Sequence, residues 1–229
     1  MSNLLPVVHM QNPKDRLYVI LAGFFITNAL LAEMVGGKIF TFEVGSTAVN
    51  LSVGVLVWPV VFIMTDIINE YYGLAGVRRV TLLTIVLISY VFVALYFMGL
   101  TRAASFSAIN DDNFNVVFGT SQSIIIGSLV AFALGQFLDY FVFHQLKMRT
   151  GESHLWLRAT GSTVFSQLID TFVVLYIAFV LPGKWSHAEF FKVASSNYFY
   201  KLLIALAVTP VIYIVHAIIA RYLDRQKHA

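Results

Sequence analysis

The sequence contains no cysteine, which excludes disulfides, thiolate metal sites, iron–sulfur clusters and cysteine nucleophiles. It is also poor in charge: 12% of its 229 residues are Asp, Glu, Lys or Arg, against 59% hydrophobic. With a mean hydropathy of +0.79, that balance excludes a disordered chain and an ordinary soluble domain. HExxH, a Gly-rich phosphate loop and GxSxG are all absent, so nothing points to metalloprotease, ATPase or serine-hydrolase chemistry. No cofactor and no bound metal are expected. Without a nucleotide-binding element, uphill movement of a solute would draw on an ion gradient or a separate energising subunit. The pI near 9.1 does not indicate nucleic acid as a partner, because the basic residues cluster beside apolar segments as membrane orientation requires. The first sixteen residues are mixed, with Pro6 and Pro13 and no charged start leading into a cleavable apolar core. No signal peptide is expected.

What is present is apolar length. Six segments, at about 17–35, 49–72, 80–100, 123–144, 155–181 and 194–220, can each cross a hydrocarbon core about 30 Å thick at about 1.5 Å per residue. The chain is therefore expected to be a single all-α integral membrane domain over 1–229, with the lipid bilayer as its surroundings. Ten Lys and Arg residues fall on one side of this arrangement and four on the other, which puts both termini in the cytoplasm. Between the first two segments, residues 38–44 and 47–53 alternate in polarity around Gly45-Ser46. A short external β-hairpin and an irregular loop are both open there. Residues 101–122, rich in Asn, Asp and Ser, read as an external loop with one helical turn near 113–118. Pro59 and Pro210 interrupt segments two and six and predict kinks. Gly127, Ala131 and Gly135 form a small-residue stripe on segment four, which fits packing inside the bundle. A homodimer face is the other use of such a stripe.

Against this background, ionisable side chains stand out. Glu33, Asp66, Glu70, Asp139, Asp170 and Lys201 lie inside or at the margins of the apolar segments. Each costs about 2.5 to 3.5 kcal/mol or more at bilayer depth, so together they predict a polar cavity, and a cavity in so small a bundle suggests transport. Asp66 and Glu70 are four apart on one helix face. Glu70 is expected to latch to Arg78 or Arg79 across a short Gly-containing turn, whereas Asp66, one turn deeper, is the more functional candidate. Gln136 with Asp139, and Gln167 with Asp170, repeat Gln-x-x-Asp on segments four and five. An amide beside a carboxylate supplies the donors and acceptors that read a flat polar heterocycle. Asp139 is expected toward the cytoplasm and Asp170 near the midplane. Lys201 either bridges to Asp170 or Glu33 or exchanges with a charged ligand. Asn28 is a further hydrogen-bonding candidate, with a satisfied packing role as its alternative. Five histidines fall at segment ends or in tails, and His216 is alone on an apolar helix, where packing is the expected role.

Together, Thr65-Asp66, Glu70-Tyr71-Tyr72-Gly73, Arg78-Arg79, Gly135-Gln136-x-x-Asp139, Trp156-x-Arg158, Ser162 with Gln167-x-x-Asp170, Lys201 and Thr209-Pro210 resemble the signature of the queuosine precursor transporter family of vitamin-uptake-transporter-like membrane proteins. The resemblance runs from Asn28 to about Tyr213. It implies a six-helix bacterial inner-membrane importer of 7-deazaguanines such as preQ0 and preQ1, salvaged for tRNA modification. Set against that ligand, the residue chemistry makes Asn28, Asp66, Gln136, Asp139, Gln167, Asp170 and Lys201 the expected substrate contacts, with Glu70, Arg78, Arg79 and Arg158 expected in structural ion pairs. In one departure, some relatives carry an arginine just before segment four, where this chain has Gln122-Ser123.

Three other readings stay open from sequence. The chain could be the substrate-capture subunit of an ATP-driven uptake system. It could be a membrane-embedded enzyme using Asp66, Glu70, Asp139 and Asp170 as oxygen ligands for Mg²⁺ or Mn²⁺, a reading the spread of those acids over depth disfavours. A purely structural bundle is disfavoured by the number of intramembrane ionisable groups.

Overall fold

A computed structural model of the chain describes residues 12–150 and 155–227, with the side chains of 44, 47, 135–150, 155–163 and 225–227 outside the description. The described chain is mostly helical. Helix α1 (Pro13–Val35) starts where the Asn12 side chain accepts from the Lys14 amide and Pro13 opens the first turn, both favoured at a helix start. Strands β1 (Ile39–Val44) and β2 (Thr47–Ser52) follow as an antiparallel hairpin in the register Ile39↔Ser52 to Val44↔Thr47. Its two-residue turn places Gly45 at φ +63°, a conformation glycine adopts at no steric cost. Of the two readings open at this connection, the hairpin is the one realised.

Ser52 returns the chain to the bundle. Its hydroxyl donates to the Gly36 carbonyl at 2.7 Å and accepts from the Gly54 amide at 3.1 Å, capping a 3-10 turn over Val53–Val57. Helix α2 (Trp58–Gly99) then runs for 42 residues but is broken at Gly73, where φ is +63° and ψ −173°. Trp58 and Ile88 line the same cavity of about 520 Å³, whereas a straight helix would hold them about 45 Å apart. The chain therefore doubles back at Gly73. Pro59, expected to kink this segment, instead sits in the first turn of α2, where no backbone N–H is needed.

Helix α3 (Asp111–Thr150) begins earlier than the polar composition of 101–122 suggests. The Asn110 side chain accepts from the Asn113 amide at 2.8 Å, and Asp111 and Asp112 occupy the first turn, where negative charge suits the helix dipole. The residues that read as loop are helix-start residues. Helix α4 (Leu155–Leu175) widens into a π turn over Tyr176–Val180. Helix α5 (His187–Ala207) starts at a Ser186–Glu189 capping box, and α6 (Thr209–Lys227) continues from it after a 45° bend. Pro210 accounts for the bend, as expected from sequence.

Among the described residues, Pro13–Val35, Val53–Gly99 and Asp111–Leu134 are long and apolar enough to cross a membrane, and α5 with α6 makes a fourth if counted as one span. Two apolar cores close the bundle around the cavity. One gathers Leu17 and Leu21 of α1, Ile67, Ile68 and Val80 of α2, and Ile219 of α6. The other gathers Ile124 of α3, Leu175, Ala178 and Phe179 at the end of α4, and Phe190, Val193 and Ala194 of α5. Gly127 permits the close contact of α3 with α4, since a Cβ there would lie 2.9 Å from the Val174 carbonyl oxygen. At this position the small-residue stripe is used for packing within the chain.

Candidate functional site

The cavity between the two cores draws its walls from α1, both halves of α2, α3, α4, α5 and the end of the hairpin. Its volume falls in the range of small-molecule sites, about 300–1,000 Å³. Apolar and aromatic side chains, among them Phe25, Trp58, Phe62 and Phe132, make most of the wall. Against them stand Glu33, Asp66, Gln167, Asp170, Thr171 and Lys201.

Lys201 is the best-defined polar element. It is buried, 5% exposed. Its Nζ donates to Asp170 Oδ2 at 2.9 Å, which resolves the choice of partner that sequence leaves open. The same ammonium lies 4.0 Å from the centroid of the Trp58 ring, a cation–π distance. A lysine held between a carboxylate and an indole face is fixed in direction as well as charge. Asn197, one turn earlier on α5, is buried beside it. The Asn197 Oδ1 accepts from the Ser52 amide at 3.2 Å and its Nδ2 donates to the Val193 carbonyl at 2.7 Å, tying the hairpin to the helix that carries Lys201.

Across the cavity Glu33 is half-buried on α1 and accepts a hydrogen bond from Ser128 Oγ of α3 at 3.0 Å. Among the described residues, two more cavity-lining side chains carry a polar atom without a hydrogen-bond partner: Gln167 Oε1 and Thr171 Oγ1, one turn apart on α4. A buried polar atom left unsatisfied costs about 1–3 kcal/mol, and such orphans ordinarily have a reason. A ligand whose N–H or O–H groups reach α4 would supply the missing bonds.

Of the residues singled out in sequence, the structure brings Glu33, Asp66, Gln167, Asp170 and Lys201 to one cavity. Asn28 is not among the lining side chains. Its Nδ2 donates to the Phe24 carbonyl one turn back at 2.8 Å, which is the satisfied packing alternative. The side chains of Gln136, Asp139 and Arg158 lie outside the described residues. The latch expected between Glu70 and Arg78 or Arg79 is corrected: among the described residues Glu70 contacts His216 of α6 at 3.9 Å, while both arginines are exposed. The break at Gly73 separates their helix from that of Glu70 and leaves them facing outward. His216 also stacks on Tyr71, with ring centroids 5.4 Å apart, so packing describes much of its surroundings. Among the described residues no three acidic or histidine side chains converge on a metal-sized site; Asp139, one of the four acids of the carboxylate-metal reading, is not among the described side chains.

Sequence reading did not place Trp58, Ser128, Asn197 or Thr171 in the site. Two of them carried a usable signal: Thr171 directly follows Asp170, and Asn197 sits four residues before Lys201 on the same helix face. Ser128 and Trp58 become recognisable only when other helices are in place.

The family described as "Putative vitamin uptake transporter" matches residues 52–215. A Bacillus subtilis protein named "Probable queuosine precursor transporter" is 31% identical over 166 residues, 71% of this chain and 70% of its own length. An Escherichia coli protein named "Queuosine precursor transporter" is 31% identical over 157 residues, 67% of this chain and 66% of its own. A Haemophilus influenzae protein with the first of these names is 28% identical over 162 residues, 67% of this chain and 63% of its own. No solved structure matches the chain. These relatives are named as transporters, not enzymes, and the apolar helices make the chain a multi-pass protein of the bacterial inner membrane. A match over most of its length, together with an identity of 31% to a relative it covers by more than two thirds, means that the chain belongs to the vitamin-uptake-transporter family that includes the queuosine precursor transporters.

Proposed function

We propose that the chain imports a queuosine precursor, a 7-deazaguanine such as preQ0 or preQ1, by alternating access around the cavity between its two apolar cores. One observation carries the reading. In a member of this family, the cavity wall holds two unsatisfied polar atoms of α4 beside the half-buried Asp170 and its buried partner Lys201 and aromatic walls. A flat heterocycle with donors on one edge and acceptors on another suits that wall. Aromatic faces take its rings. The α4 oxygens accept from its N–H groups, and Asp66 is a second acceptor for the same donor edge. Gln136 and Asp139 remain candidates from sequence for the cytoplasmic side.

In this reading there are six spans, with both termini in the cytoplasm. The doubling back at Gly73 supports two spans: residues 58–72 with the 3-10 turn before them rise about 32 Å and residues 74–99 about 39 Å, against a bilayer core of about 30 Å. The Lys and Arg asymmetry supports the orientation.

Uptake of labelled preQ0 or preQ1 by the purified chain in proteoliposomes tests the proposal. Uptake without ATP or a second protein is expected, which also separates it from an ATP-driven capture subunit. Asp170→Asn should remove most uptake while protein remains in the membrane. Wild-type transport by Asp170→Asn would contradict the site assignment.

A further inference from the structure

Three carboxylates and one ammonium line the cavity: Glu33, Asp66, Asp170 and Lys201. Lys201 belongs to Asp170 by distance. Asp66 is on the exposed side of the cavity, where water can solvate its charge. Glu33 differs from both, being half-buried with a hydrogen bond from the Ser128 hydroxyl at 3.0 Å and no cation within 4 Å among the described residues. A carboxylate withdrawn from water stays charged at considerable cost unless a cation stands beside it, and otherwise takes up a proton.

We propose that Glu33 and Ser128 form a cation seat distinct from the Asp170–Lys201 pair: it carries a proton in the empty cavity and gives it up for the ammonium arm of a cationic ligand. The exchange balances. Glu33 releases one proton to water as the ligand's ammonium arrives, and the carboxylate so formed pairs with that ammonium. Ser128 holds the Glu33 carboxyl toward the cavity in either state. A second observation points to a ligand in this space. Thr171 is 4% exposed, lines the same cavity and has a hydroxyl without a partner. The titratable groups that share the cavity with Glu33 are Asp66 on α2, Asp170 on α4 and Lys201 on α5; α3 contributes Ser128 among its described side chains, and that of Asp139 is not described.

The inference deepens the proposed function and rests on it for the identity of the ligand. Of the two 7-deazaguanines named above, the aminomethyl form is a cation and the nitrile form is neutral. Only the cation should displace the proton. Its binding should then tighten with rising pH, by up to about tenfold per pH unit where the empty seat is protonated, whereas the neutral form should show no such slope.

Two measurements on the purified full-length protein test this. Calorimetry in buffers of different ionisation enthalpy should show close to one proton released on binding the aminomethyl ligand and none on binding the nitrile. Glu33→Gln should abolish the release and flatten the pH slope to within about twofold, while Glu70→Gln, at a carboxylate that does not line the cavity, should leave both. Release that survives Glu33→Gln, or disappears in Glu70→Gln instead, would overturn the assignment. Infrared spectra of the ligand-free protein should contain a protonated-carboxyl band that Glu33→Gln removes. Absence of that band would overturn the proposal without touching the transport reading. If the band is present but neither deazaguanine binds, the ligand exchange and the transport reading both fall, and only a proton on Glu33 is left.

Discussion

Asp170 and Glu33 reach into one cavity from α4 and α1 with the same functional group and different company. Asp170 has an ammonium at 2.9 Å, itself backed by the Trp58 ring. Glu33 has a hydroxyl at 3.0 Å. The first acid belongs to a pair whose members need each other, and its loss should be felt in folding as well as in transport. The second is free to exchange what it holds. One cavity thus separates a fixed charge pair, which shapes the site, from an unneutralised acid, which answers to the ligand.

The largest effect is expected where the pair is broken. Lys201→Met leaves Asp170 facing the cavity without its cation and should cost about 3 kcal/mol, the lower end for a broken buried pair, because Asp170 keeps 29% side-chain exposure. Thermal unfolding of the purified protein measures it. The double variant Asp170→Leu with Lys201→Met should recover most of that loss, since a well-packed apolar pair can replace a buried ion pair. It should still not transport. Recovery of transport together with stability would make the pair merely structural.

A smaller effect is expected at the contact that joins the two sides. Gly127 precedes Ser128 on α3, and a side chain there would press on the Val174 backbone of α4. Gly127→Val should cost about 1–3 kcal/mol by overpacking. By pushing α3 from α4 it should also disturb the Glu33–Ser128 contact, read as weaker ligand binding. An unchanged Tm would mean that the helices separate freely.

At Thr171 stability and binding should part company. Its hydroxyl is buried without a partner, so Thr171→Val should leave Tm unchanged or raise it slightly. Ligand affinity should fall about fivefold, the equivalent of about 1 kcal/mol for one hydrogen bond. A loss of stability with no loss of affinity would show that the hydroxyl serves the fold. Glu33→Gln should change stability least, by under about 1 kcal/mol, because an amide keeps the shape and can still meet Ser128. Asp170→Asn should be the more destabilising of the two, and the reverse order would contradict the contrast drawn here.

Much of this was legible in the sequence, for identifiable reasons. Apolar runs report helices directly, and Gly45-Ser46 between alternating residues reports the hairpin. Asp170 and Lys201 stand out because charge in an apolar run is expensive, and their pairing is the simplest way to lower that cost. Composition misleads where polar residues serve a helix end. Asn110 and Asp111 resemble loop, yet the first caps α3 and the second sits in its first turn, and Pro59 resembles a kink but opens α2. Partner choice across helices is the least legible. Glu70 lies near Arg78 in sequence yet contacts His216 from α6, because the break at Gly73 turns the arginines away. Ser128 and Trp58 gain their roles only from residues far along the chain.

Thermal unfolding of the purified protein with and without ligand tests most directly that the cavity is the ligand site. A ligand bound only to the folded state adds about 2.7 kcal/mol at one hundred times its Kd. The prediction is a rise in Tm with preQ0 or preQ1 but not with adenine, reduced in Thr171→Val and absent in Asp170→Asn. An equal rise in all three proteins would put the ligand elsewhere and contradict the account.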